Sequence, residues 1–353
     1  MVTISQVRGM LLEEALLYLL RLSGYQTVEE VGSDVTLYQG NSGLEVLGRG
    51  GKHQIDAIAN YTIAHPFSHP QRLLLEAKFH NNNKNKTGIE VVRNSVGVLK
   101  DVSEYWVSRN KVPPKARYHY QYAIFSTSGY TSPAQKYAYA QDIYLIPLYK
   151  STFFQPILNA IHEFEPYFDT QAVPKQFLTR LRSTIRNSLR HEEINLGWLC
   201  DLIPYSELSY PYRLAVKVYK SIQKFCRTCH QLNGALLAMI SRQFPLFLVP
   251  NPDNNPRIND LEKRKFRYNV EIDYNEEGGY LRDSVTKKSL FSFDLPQELF
   301  KLYASQGLFS ETSDFNHEAD YSSGIQAIVT LDNIPRVITF QLENGWLNKM
   351  LSE

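Results

Sequence analysis

Two acidic residues and a lysine, Asp56, Glu76 and Lys78, have the types and spacing that metal-assisted chemistry on a phosphate requires. Each sits in a short apolar run, Ile55-Asp56-Ala57-Ile58-Ala59 and Leu73-Leu74-Leu75-Glu76-Ala77-Lys78-Phe79, of the kind that forms a β-strand. Side chains alternate along a strand, so Gln54 and Asp56 are expected on one face, and Glu76 and Lys78 on one face. Leu75, Ala77 and Phe79 then form the opposite, apolar face, available to pack on helices. A hard cation such as Mg²⁺ (or Mn²⁺) takes oxygen ligands and keeps several waters, so one or two carboxylates suffice to hold it. Asp56 and Glu76 are the candidate ligands. Lys78 is suited to neutralising a phosphate or orienting water, and Gln54 to fixing a water without adding charge. Any single Glu-x-Lys is common, and alone it reads more readily as a surface ion pair on an edge strand, with Asp56 beginning a turn.

The surrounding pattern adds weight. Asp56 followed by Glu76-Ala77-Lys78 resembles the D…(D/E)-x-K signature of the PD-(D/E)xK nucleases, most specifically the Mrr-like restriction endonucleases. Three further units agree in order: Leu12-Glu13-Glu14-Ala15-Leu16 through Gly24-Tyr25, Thr87-Gly88-Ile89 through Asp101, and Ala123-Ile124-Phe125-Ser126-Thr127-Ser128-Gly129-Tyr130 through Pro147. Glu13 falls at the family's helix glutamate, while Leu12 replaces the usual aromatic residue. His53-Gln54 stands where many relatives carry glycine and a small residue. The resemblance covers the stretch 1–150. It implies a restriction-endonuclease-like mixed sheet flanked by helices, a Mg²⁺-dependent endonuclease acting on double-stranded DNA, a restriction or anti-phage setting and a homodimer, with Glu13 supporting the metal site.

The elements that must position these residues follow from periodicity. Residues 6–22 form a helix stopped by Gly24, 25–47 one or two strands, 88–108 a helix, 121–127 and 143–148 strands, and 131–140 a helix. Gly48, Gly50 and Gly51 permit a turn before Asp56, and no Gly-Lys-Ser/Thr follows to make it a nucleotide loop. Any ATP-driven motor therefore has to come from a separate partner. His65 and His69 each precede a proline, which forbids the helix that would align their rings.

Charge is unevenly distributed. Residues 1–150 hold 16 Lys and Arg against 12 Asp and Glu, residues 151–230 hold 10 against 7, and residues 231–353 hold 12 against 17. Phosphate contact is therefore expected from the first two segments. Lys84, Lys86 and Arg93 flank the candidate site in the polar stretch after Lys78. Arg182, Arg186 and Arg190 recur every four residues and form one helical stripe, either in contact with phosphate or simply solvated. Tyr118 and Tyr120 read as core rather than as a stacking platform.

Three segments are expected: a nuclease domain over 1–150, a helical basic segment over 151–240 and an acidic β-rich domain over 241–353 for recognition, oligomerisation or partner docking. In the last, 244–249, 265–274, 280–293 and 326–342 are strand-like, 254–256 and 276–279 are turns, and 294–302 is a short helix. Cys226, Cys229 and His230 have haem-attachment spacing, but the residues sit in a helical pattern with Tyr219 and Ile222 on the same face, and read as core cysteines. A zinc site would need a fourth ligand, for which Cys200 is the candidate. The stretch from Met1 to Gly24 lacks the layout of a signal peptide and no apolar run approaches membrane-spanning length, so a cytoplasmic protein without membrane contact is expected. Two rival functions remain on sequence grounds: a structure-selective junction or repair nuclease, and a non-cleaving DNA-binding sensor subunit.

Overall fold

The computed structural model describes residues 2–40, 43–63, 67–82, 84–107, 118–149, 151, 154–164, 172–173, 175–191, 194–198, 211–231, 236–240, 244–250, 267–275, 278–293, 324–331 and 334–342. Short strand β1 (Val2–Thr3) leads into helix α1 (Ile4–Leu22). Thr3 starts the helix with a capping box: its hydroxyl accepts from the Gln6 N–H at 3.3 Å, and the Gln6 amide oxygen accepts from the Thr3 N–H at 2.9 Å. Gly24, at φ 79°, turns the chain into strand β2 (Tyr25–Val28).

Strands β3 (Leu37–Gln39), β4 (Leu44–Leu47) and β5 (Lys52–Gln54) form a small antiparallel sheet. Strands β6 (Ala57–Tyr61), β7 (Gln71–Lys78), β8 (His119–Ser126) and β9 (Ile143–Pro147) join β2 in a five-stranded sheet of order β2-β6-β7-β8-β9. Its first two pairings are antiparallel and its last two parallel. The parallel crossovers contain helices α2 (Ile89–Ser103) and α3 (Ser132–Ala140), which cover the face carrying Ile58, Leu74 and Ile124. The other face, with Ala57, Leu73, Leu75, Ala123 and Phe125, packs in the same core as α1.

Helix α1 is buried on nearly every side, from Leu11 and Leu12 through Leu19 and Leu20. A second helical layer accounts for this: α4 (Gln155–His162) and α5 (Lys175–His191) pack against it, α6 (Pro211–His230) packs on both of them, and all three share its core. The helices after residue 150 therefore complete the core that α1 begins. The short strand β10 (Ala172–Val173) pairs with β1 and ties this layer to the start of the chain. Cys226 and Cys229 lie in α6, buried among Val218, Ile222 and Phe225, and burial raises both thiols above their ordinary range. His230 meets the Tyr18 ring edge to face at 5.6 Å, while Tyr219 is exposed. Cys200 and His65 lie outside the described residues.

Strands β11 (Leu236–Ile240), β12 (Phe244–Pro250), β13 (Arg267–Asn275), β14 (Gly278–Asp283), β15 (Ser289–Phe293), β16 (Gly324–Leu331) and β17 (Ile334–Leu342) close into a barrel of order β11-β12-β15-β14-β13-β17-β16. Closure leaves no free sheet edge. Leu281, Phe291, Phe340, Ile325 and Ile338 are buried within it.

Four expectations need correction. Residues 25–47 hold three strands, β2, β3 and β4, where one or two were expected. Residues 236–240 are a strand, not the end of a helical segment, because Leu236 to Ile240 pair with β12 and Ala238 to Ile240 also with β16. The second helix ends at Ser103 rather than 108: the Glu104 N–H turns back to Lys100 and Val102, and the Arg49 N–H takes the Asp101 carbonyl. The 280–293 and 326–342 runs each contain two strands. The helix expected at 294–302 and the turn at 254–256 lie outside the described residues, as do residues 276–277.

Candidate active site

Register brings Asp56 to Glu76. In the antiparallel β6–β7 pair Ala57 faces Leu75, so the residue before Ala57 and the residue after Leu75 are neighbours across the strands. The Asp56 Oδ2 accepts the Ala77 N–H at 2.8 Å, which fixes the carboxylate at the end of the sheet. Burial raises the Asp56 pKa, the nearby Glu76 charge raises it further, and the Ala77 hydrogen bond and the Lys78 charge oppose both.

Glu76 and Lys78 share the α2 face, two residues apart on β7, and their side chains pair at 2.5 Å between Oε1 and Nζ. The other Glu76 oxygen, Oε2, accepts from the Tyr122 hydroxyl at 2.7 Å. Tyr122 is buried on β8 with its phenol pushed well up, first by burial and then by Glu76, so it remains a donor. Tyr122 escapes a reading by motif because its link to Glu76 depends on the β7–β8 register, in which Glu76 pairs with Ile124.

Gln54 and Asp56 do not share a strand. The chain bends at Ile55–Asp56, leaving Gln54 on β5, paired with Glu45 in the small sheet, while β6 starts at Ala57. Both residues nevertheless line a cavity of about 600 Å³ together with Glu13, Lys175 and Arg182. Glu76 and Lys78 do not line that cavity, so Asp56 stands between it and the Glu76–Lys78 pair.

Glu13 projects from α1, and its Oε2 accepts from Arg182 of α5 at 2.6 Å. Burial pushes the Glu13 pKa to about 8; the Arg182 charge opposes the rise, and the Asp56 and Glu14 charges add to it. The arginine stripe is paired within the chain, with Arg182 and Arg186 half-buried and Arg190 exposed. Arg186 holds Glu14, 2% exposed, through two bonds of 2.9 and 2.5 Å and reaches Glu29 at 3.2 Å; Arg190 also pairs with Glu29. The acidic partners belong to α1 and the segment after β2, so the charge is offset within the chain.

Lys84 and Lys86 are exposed, as is Arg93, whose guanidinium lies 5.7 Å from the Tyr137 ring centroid. The segment bearing the two lysines is anchored. Ser128 Oγ donates to the Asn85 carbonyl at 2.6 Å, the Thr87 N–H to Gly129 at 2.9 Å, and the His80 N–H to Thr127 Oγ1 at 2.8 Å. Tyr118 donates to Asp34 and stacks under the buried Arg72 guanidinium at 3.6 Å, a structural role.

No family model matches this chain, and no curated protein does. The crystal structure of the protein of unknown function AF1548 is similar, at 17% identity over 61% of this chain and 98% of that one, with a TM-score of 0.34. At that level the likeness carries no argument about activity.

Among the described residues, no group of three or more His, Cys, Asp and Glu side chains could hold a metal ion. The donors at the sheet end, the Asp56 and Glu76 carboxylates, suit a cation that keeps most of its waters and do not suit an all-protein tetrahedral cage. Among the described residues, no helix is long and apolar enough to cross a membrane.

Proposed function

We propose that the chain is a metal-dependent endodeoxyribonuclease that hydrolyses phosphodiester bonds of double-stranded DNA, in a restriction or anti-phage role. The observation that carries this reading is the adjacency of Asp56, Glu76 and Lys78 at one sheet end, with Asp56 fixed by the Ala77 N–H and Glu76 held between Lys78 and Tyr122. The resemblance to the Mrr-like nucleases includes these three residues among the four units that agree in order over 1–150.

In this reading Asp56 and Glu76 hold Mg²⁺ or Mn²⁺. The bound cation supplies a Lewis acid for the phosphoryl oxygen and lowers the pKa of water. Lys78 exchanges its pairing with Glu76 for the incoming phosphate or water, adding positive charge where negative charge develops. Tyr122 keeps the Glu76 carboxylate oriented after Lys78 turns away. Arg182 brings a guanidinium to the cavity beside Asp56, 28% exposed and within reach of a phosphate that displaces Glu13. Lys84, Lys86 and Arg93 lie on the solvent side and suit backbone contact. Cutting both strands calls for two active sites or two successive events, and a homodimer with a two-fold axis supplies the first. The test is digestion of duplex DNA with Mg²⁺ and with excess chelator, wild type beside Lys78→Ala.

A further inference from the structure

A second cavity, of about 540 Å³, opens between the α1 face of the five-stranded sheet and the barrel. Strand parity assembles its wall. Tyr25 pairs with Tyr61 across β2 and β6, Leu73 with Gln121 across β7 and β8, and Ala123 with Tyr144 across β8 and β9. Gln71, two residues before Leu73, points the same way, so three phenol rings and two carboxamides project from one face of the sheet. Gln326 of β16 adds a third carboxamide from the barrel side. Gln71 is five residues before Glu76 on the same strand, roughly 17 Å away at the rise of an extended chain. The wall reaches Phe125, the partner of Ala77 across β7 and β8, but it belongs to the face of the sheet opposite Glu76 and Lys78, and nothing in it depends on the nuclease reading.

Three properties of the wall define what it suits. Among the described residues no charged side chain lines it, so a phosphate, a carboxylate or a metal ion would find no counter-charge among them. The Tyr25 and Tyr61 rings meet edge to face, 5.7 Å between centroids and 72° between planes, and present aromatic surface beside the apolar Phe125 and Ile146. Burial and the neighbouring Tyr61 and Tyr144 phenols raise the Tyr25 phenol above its ordinary range, which keeps it a neutral donor. The side-chain amides of Gln71, Gln121 and Gln326 are half-buried, and none has a hydrogen-bond partner among the described residues.

These amides line the cavity and are open to pairing with what enters it. A carboxamide offers a donor and an acceptor side by side, which matches the edge of a nucleobase, and aromatic rings supply the stacking surface that a base uses. The volume lies within the roughly 300–1,000 Å³ of small-ligand sites. We propose that this cavity binds an uncharged planar heteroaromatic group of nucleobase type. Such a group can come from a free nucleoside or from a base turned out of a DNA strand, and the recognition chemistry is the same for both.

The experiment uses the full chain. Adenosine, guanosine, cytidine and thymidine are titrated by calorimetry, and a duplex containing 2-aminopurine is followed by fluorescence. Wild type is compared with Gln121→Leu/Gln326→Leu and, separately, with Gln71→Leu. These changes keep side-chain bulk at half-buried positions, and thermal melts without ligand check the fold of each variant. Saturable nucleoside binding that weakens about tenfold or more in the double variant identifies a free ligand. A rise in 2-aminopurine fluorescence with wild type, lost in the variants, identifies an extruded base. Absence of both responses overturns the proposal, and so does either response persisting unchanged in folded variants. Cleavage lost through Lys78→Ala leaves both readouts unaffected, so failure of this proposal is distinguishable from failure of the nuclease reading.

Discussion

Arg186→Met tests whether the helices after residue 150 belong to the same cooperative unit as the sheet. Arg186 is the bidentate partner of Glu14, which is 2% exposed in the middle of α1. Deleting one partner of a buried pair leaves the other charge uncompensated, at a typical cost of about 3–5 kcal/mol. Arg182 Nε lies 3.8 Å from the same carboxylate and offers partial relief, which puts the expectation near the lower end, about 3 kcal/mol. Glu14→Leu/Arg186→Met removes both charges from a site bordered by apolar α1 residues and should recover most or all of that loss. Urea unfolding of wild type, both single variants and the double variant gives the coupling directly. If Arg186→Met costs less than about 1 kcal/mol, the range of an exposed pair, Glu14 is not buried against α5 and the two-layer packing around α1 is wrong.

Two further outcomes follow from the site. The Glu13 pKa is raised from 4.5 to about 8, so the folded state binds the extra proton between those values. Stability from this group is full below about pH 4.5 and is lost as pH rises towards 8. Glu13→Gln removes that dependence, and its melting temperature should gain on wild type between pH 5 and pH 9; a constant offset would contradict the burial of Glu13. Tyr122→Phe deletes the donor to Glu76 Oε2 at little change in volume and should lower cleavage roughly tenfold while raising the Mg²⁺ concentration needed, with unfolding little changed. A variant as active as wild type at limiting Mg²⁺ would show that Tyr122 does not orient Glu76.

The strands and helices between Ile4 and Pro147 were largely legible because alternation and helical spacing are local properties. The run 73–79 carried both the apolar face that packs towards α1 and the Glu76–Lys78 pairing. What local pattern did not reveal was long-range. The bend at Asp56 leaves Gln54 paired with Glu45 in the small sheet, and His53 beside it meets Asp101 at 2.7 Å, a contact 48 residues away. The arginine stripe read as solvated or phosphate-binding because its partners, Glu13, Glu14 and Glu29, lie near the start of the chain, far outside any local window. Tyr122 at Glu76 depends on strand register, and strand β11 on pairing with β16, for which a single strand carries no signature.

The most direct measurement is Mg²⁺-dependent digestion of modified and unmodified duplex DNA by wild type and Lys78→Ala, with folding of the variant checked by its melt. Cleavage by wild type that chelator abolishes and Lys78→Ala lowers by about 10²-fold or more is the predicted result, and the comparison of the two DNAs reports any preference for modified bases. Cleavage by both proteins at similar rates, or by neither while both bind DNA, would contradict the assignment of Asp56, Glu76 and Lys78 as the catalytic centre of this chain.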